Sequence, residues 1–162
     1  VAVTMVLNPA GTGVQPAADD LGASLAAGRD GSVFLLGSLG SGSADLGGGA
    51  FTTSSRGDWF LARYGADGSY KWSRHAPAPT GYLGLSAVAA APDGSVAVAG
   101  DTGGVDDFGG GAQGPSHGVV VVRYAAGGDY VAEKRFAITP SSGAVSARGL
   151  AIDESGHLSL GG

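Results

Sequence analysis

The residues with the most chemical capacity in this sequence are carboxylates standing beside glycine runs. Asp45 precedes Leu46-Gly47-Gly48-Gly49, and Asp106 and Asp107 precede Phe108-Gly109-Gly110-Gly111. Carboxylates and loop carbonyls are the hard oxygen ligands that calcium prefers, so the loops suggest Ca²⁺. The spacing is not that of an EF-hand, and one carboxylate per loop is few. The same residues suit a structural task better, with Asp accepting backbone N–H bonds to cap a turn ahead of a glycine segment. Phe51, Phe108 and Tyr82 could stack on a sugar ring. Aromatic residues near strand ends also close apolar layers, and that reading is the simpler one.

Arg56-Gly57-Asp58 spells a tripeptide found in adhesive loops, while the aligned place further on reads Ser116-His117-Gly118. The plainer reading is a loop entering a strand. Arg63 and Arg123 each precede a tyrosine and are expected on the solvent side, paired with acidic neighbours at little energetic gain. Nucleophilic catalysis has few candidates: His75, His117 and His157 do not align with one another, and cysteine is absent. A pair of carboxylates brought together from distant segments could still serve a hydrolase or lyase. The residues carried forward as ligand-binding candidates are Asp45, Phe51, Arg56, Tyr82, Asp106, Asp107, Phe108 and His117. No catalytic residue, metal ligand or cofactor is predicted.

Composition narrows the partners. Nine Lys and Arg against 14 Asp and Glu give a net charge of −5, which offers no cationic field for nucleic acid. No apolar run approaches the roughly 20 residues of a membrane helix. Hydrophobic residues at 43% allow a buried core, whereas 32 glycines in 162 residues demand many turns. A start at Val1, with neither methionine nor signal segment, predicts a processed or excised piece.

What positions the candidate residues is a repeat. Asp30-Gly-Ser-Val-Phe-Leu-Leu-Gly-Ser38 returns as Asp93-Gly-Ser-Val-Ala-Val-Ala-Gly-Asp101 and more loosely from Ser155, and Phe60–Tyr70 returns as Val120–Tyr130. The period is about 60 to 63 residues. Each unit holds four runs rich in β-forming residues, at Leu85–Ala91, Ser95–Gly100, Gly118–Tyr124 and Tyr130–Ala137 in the second, here called strands A to D. Asp30-Gly31, Asp67-Gly68 and Asp93-Gly94 predict tight A–B and C–D hairpins in which both turn residues take the positive φ of a primed turn. Glycine content and Pro92 argue against a helix at Leu85–Ala91. Residues 3–13 align with Phe60–Tyr70, so residues 1–16 read as strands C and D of a partial unit. Residues 17–77 and 78–138 read as whole units, and 139–162 as strands A and B of another.

Repeated four-stranded antiparallel meanders predict an all-β fold of β-propeller blades, about three blade equivalents with half-blades at both termini. The sequence of DGSVxVxG, DFGGG, a strand ending Arg-Tyr and then Gly-x-Tyr resembles the repeats of secreted bacterial propeller proteins of the seven-bladed β-propeller repeat type. That resemblance implies an extracellular or cell-surface setting. Three equivalents are too few to close a ring, since propellers have about 4–8 blades. A fragment of a longer protein is expected first, then a homodimer completing the ring, then pairing with related chains. Because strands alternate in direction, the long B–C and D–A connections share one face, where loops on a rigid scaffold bind. The expected function is non-enzymatic binding or scaffolding toward a protein or glycan. A subunit polymerising through open blade edges and a hydrolase or lyase with a central-channel site are the alternatives.

Overall fold

The computed structural model describes residues 21–53, 58–77, 83–114, 117–137 and 146–162. Within them the chain is all-β: twelve strands in antiparallel sheets, with no helix. Residues 1–20, and with them the expected N-terminal half-unit, lie outside the described residues, as do Arg56 and Tyr82. Among the described residues no helix is long and apolar enough to cross a membrane.

Strands β1 (Leu21–Ala27), β2 (Val33–Leu39), β5 (Asp58–Tyr64) and β6 (Tyr70–Pro77) form one four-stranded meander, in the order β1-β2-β5-β6. Between β2 and β5 stand two short strands, β3 (Gly42–Asp45) and β4 (Ala50–Thr53), paired as a hairpin. Strands β7 (Leu83–Ala90), β8 (Val96–Thr102), β9 (Gly118–Tyr124) and β10 (Tyr130–Ala137) form a second meander of the same topology. Strands β11 (Gly149–Ile152) and β12 (Leu158–Gly161) pair antiparallel as a separate two-stranded sheet.

The two meanders match residue for residue. Val33 pairs with Tyr64 and Phe34 with Arg63 in the first, as Val96 pairs with Tyr124 and Ala97 with Arg123 in the second. Alternation along each strand sends successive side chains to opposite faces, and both faces are apolar. Phe34, Leu36, Trp59 and Leu61 on one face of the first sheet share a core with Val96, Val98, Val120 and Val122 on the facing side of the second. The other side of the second sheet, Ala99, Val119 and Val121 with Ala87, packs against Ala147 and Leu150 ahead of and within β11. Each unit therefore presents the same face to the next one along.

Residue size sets how closely the sheets approach along their first strands. The first strands, Leu-Gly-Ala-Ser-Leu-Ala-Ala in β1 and Leu-Gly-Leu-Ser-Ala-Val-Ala-Ala in β7, are small-residue strands, and the backbones approach closely where β1 and β2 meet β7. Strand β7 meets β11 in turn. Further out the core is filled by rings, with Trp59 against Phe108 at 5.6 Å between centroids and Phe34 against Trp72 at 6.0 Å. The interface thus widens from its first strands outward.

The hairpin turns differ from expectation. Five share one pattern: a three-residue-apart N–H···O=C bond, as from Gly31 to Gly28 and Gly94 to Ala91, plus a bond such as Gly28 N–H to the Ser32 carbonyl. The final glycine is left-handed, at φ of 78° for Gly31 and 80° for Gly68 and Gly94. Among the described residues no residue other than glycine has positive φ, so Asp30, Asp67 and Asp93 are not in primed turns. This is the three-residue hairpin loop, a type I turn followed by a left-handed glycine, whose twist also suits antiparallel strands. The long Leu39–Gly57 connection likewise proves to contain the β3–β4 hairpin instead of being all loop.

Truncating the shared core should be costly in proportion to burial. Leu61→Ala should lower stability by about 2–5 kcal/mol, against less than about 0.5 kcal/mol for exposed Val131→Ala, in denaturant unfolding.

Candidate functional site

The long connections return across their own sheets and are locked there by one device, present twice. Asp45 Oδ1 accepts the N–H groups of Gly47 at 2.7 Å and Gly49 at 3.1 Å; Asp107 Oδ1 accepts those of Gly109 at 2.8 Å and Gly111 at 3.1 Å. The residue after each aspartate, Leu46 or Phe108, is buried. Its carbonyl accepts the hydroxyl of a core tyrosine, Tyr64 to Leu46 at 2.8 Å and Tyr124 to Phe108 at 3.0 Å. A second tyrosine meets the first edge-on, Tyr70 at 6.2 Å from Tyr64 and Tyr130 at 6.4 Å from Tyr124.

The glycine backbone lies directly on that second ring. A Cβ at Gly48 would fall 2.4 Å from the Tyr70 hydroxyl, and one at Gly110 2.5 Å from the Tyr130 ring. Any side chain there would displace the tyrosine, so glycine is required by close approach. Burial raises the pKa of Tyr124 well above its ordinary value, and those of Tyr64 and Tyr130 rise for the same first cause. The Tyr64 and Tyr124 hydroxyls therefore stay neutral and donate to Leu46 and Phe108.

The hairpin turns use their aspartates similarly. Asp30, Asp67, Asp93 and Asp153 each accept the N–H of the serine two residues on. Their carboxyls titrate below the ordinary 3.8, held down chiefly by serine hydrogen bonds at Asp30, Asp67 and Asp93 and by the His157 N–H at Asp153.

Cations join the sheets. Arg63 donates to the Ala126 carbonyl and to Asp30, both at 2.7 Å, and lies over the Phe34 ring. Trp72 Nε1 donates to the same Ala126 carbonyl at 2.9 Å, and Arg74 to the Gly128 carbonyl at 2.6 Å. The β9–β10 turn of the second sheet is thereby clasped by the first. Arg63 does pair with an acidic neighbour, but it is largely buried between sheets instead of lying on the solvent side. Arg123 pairs with Asp93 at 3.3 Å in the equivalent way.

Two groups stand at the end of the sheets where the long connections run. Phe51 stacks on His75 at 3.8 Å between ring centroids and 16° between planes, and His75 Nδ1 lies 3.5 Å from buried Asp58. Asp58 is the carboxylate of the Arg-Gly-Asp tripeptide, and its burial withdraws it from an adhesive partner. In the second unit buried Asp106 accepts the Thr102 hydroxyl and meets Arg135 at 3.3 Å, while Arg135 meets Glu133 at 2.7 Å. Burying these charges is sustainable because carboxylates and guanidinium lie together.

The structure thus distributes the sequence candidates. Asp45 and Asp107 are exposed caps, Asp106 is an inward-facing ion-pair member, and Phe108 lies in the core between the sheets. Phe51 packs on the outer cluster of the first sheet, so Phe51 and Phe108 do not form one site. His117 is exposed immediately before β9. Among the described residues no three His, Asp or Glu side chains are grouped to hold a metal. Sequence reasoning missed Tyr64, Tyr70, Tyr124, Tyr130, Glu133 and Arg135. The tyrosines had a signal, their recurrence 60 residues apart as Tyr64 and Tyr124 and as Tyr70 and Tyr130, each downstream of a glycine triplet; the Glu133–Arg135 pair had none, since His75 occupies the aligned place of Arg135. The chain matches no model of a known protein family and no curated protein.

Tyr124→Phe should cost about 1–3 kcal/mol in denaturant unfolding, because the buried Phe108 carbonyl loses its donor. The depressed turn carboxyls favour the folded state above pH 3.8 and lose that advantage as pH falls through their lower folded values. Melting temperature should therefore drop below that pH, and the drop should be smaller in Asp93→Asn, which keeps an acceptor but does not titrate.

Proposed function

We propose that this chain is an arc of β-propeller-type units acting as a non-enzymatic scaffold, with its long B–C and D–A connections facing a protein partner. The observation that carries the reading is the head-to-tail repetition of one packing. The face bearing Phe34, Leu36, Trp59 and Leu61 meets the next sheet's Val96, Val98, Val120 and Val122, and the second sheet offers its own corresponding face to β11. Convergence of small-residue strands β1, β7 and β11 along one side supports radial stacking over flat layering. So does the exposed ion pair between Arg29 in the β1–β2 turn and Glu154 in the β11–β12 turn, two units apart.

A scaffold role is supported by what the polar side chains do. The turn aspartates, both capping aspartates and Arg63 are engaged in holding backbone and neighbouring sheets. A protein partner is favoured over a glycan because Phe108 is buried and one face of Phe51 is occupied by His75. An extracellular setting rests on the family resemblance alone.

Peptides selected against the chain from a display library should lose binding to a Phe51→Ala, His75→Ala variant and keep it to Asp67→Asn on the opposite end. Selection of binders sensitive only to Asp67→Asn, or turnover of glycosidic or ester substrates by the chain, would overturn the reading.

A further inference from the structure

The interface between the two meanders carries buried charge that the repeat itself does not require. Glu133 pairs with Val122 and Arg135 with Val120 across β9 and β10, and both valines belong to the core shared with the first sheet. The Arg135 guanidinium lies 5.7 Å over the Phe108 ring, which meets Trp59 of the first sheet on that side. Asp106 joins Arg135 there and accepts the Thr102 hydroxyl. In the first unit the aligned places hold Ala44, Ser73, His75 and Leu39. The same meander therefore forms without Asp106, Glu133 or Arg135.

Stability does not account for the group. The side chains of Asp106 and Glu133 are 2% and 10% exposed, yet Asp106 Oδ1 and Glu133 Oε2 have no hydrogen-bond partner among the described residues. Removing charges from water offsets most of their mutual attraction, and replacing a buried ion pair with apolar residues is often neutral or stabilising. A network only partly satisfied lies on the unfavourable side of that balance. What it does supply is discrimination, because a wrong neighbour must either fit around it or separate buried charges.

Discrimination has a definite object here. The two sheets match pair for pair, so a second copy's second sheet could offer its back to the place held by the first sheet's back. Those two backs differ in shape. The first presents Trp59, Trp72 and Ala76; the second presents Val119, Ala132 and Phe136 at the aligned places. An apolar front repacks around either surface, since cores tolerate substitution when volume is kept. A front with an ion-paired group in it cannot, and Phe136 would stand where Ala76 now packs against the shared core.

We infer that the Asp106–Arg135–Glu133 group selects the first sheet as the neighbour of the second, against the second sheet of another copy, and so fixes the order in which the units stack. It is a specificity device and not a source of stability. The inference depends on the packing of the two sheets and not on what the long connections bind, so a failed peptide selection leaves it standing.

The chain's two tryptophans, Trp59 and Trp72, both lie at this interface and report on it by NMR. The unmodified chain should give two indole N–H signals at every protein concentration. The variant Asp106→Ala, Glu133→Ser, Arg135→His installs the first unit's residues. It should keep the β-sheet circular dichroism and a folding constant less than about tenfold below the original, and show extra indole signals that strengthen with concentration. Arg135→Ala alone strands two buried carboxylates and should lower the folding constant by about 100-fold or more. Extra signals in the unmodified chain, two signals throughout in the triple variant, or extra signals indifferent to concentration would each overturn the inference. So would loss of the β-sheet signal or a larger fall in folding constant in the triple variant, or an Arg135→Ala chain as stable as the original.

Discussion

Each meander has two apolar faces, and that single constraint organises the molecule. A sheet with one apolar face can rest on a core and turn the other side to water. Here Phe34, Leu36 and Leu61 lie on one side of the first sheet, while Leu35, Phe60 and Ala62 lie on the other, and all are buried. Such a sheet must be covered twice. The first sheet covers one side with its neighbour and the other partly with its own β3–β4 hairpin, through Leu46 and Phe51.

The polar chemistry follows from that need. A connection folded over a sheet brings backbone groups onto an apolar surface, and each must be satisfied. Asp45 and Asp107 satisfy glycine N–H groups, and Tyr64 and Tyr124 satisfy the carbonyls that follow. Glycine triplets are then what allow the chain to lie against Tyr70 and Tyr130. Residues that suggest a binding site in isolation are, in place, the fittings that hold a loop to its sheet.

Much of this was legible in the sequence, for definite reasons. The repeat exposed the four strands of each unit, and β9 and β10 fall on the expected Gly118–Tyr124 and Tyr130–Ala137. Strand identity survived because side-chain alternation and turn glycines are local properties. The turn type was misjudged, since Asp-Gly suits two loops and only the flanking hydrogen bonds distinguish them. Two facts depended on the third dimension. One is the burial of Arg63, whose partner Ala126 lies in the next unit; the other is the Asp106–Arg135–Glu133 group, absent from the first unit because Ala44 and His75 stand there.

If the shared interface governs the fold, the two sheets have no separate stability. Native-state hydrogen exchange by NMR reports this strand by strand. Amides of Leu36 and Leu61 in the first sheet and of Val98 and Val122 in the second should open with one common free energy and one dependence on denaturant. Two distinct free energies, with one sheet opening while the other stays protected, would contradict the account.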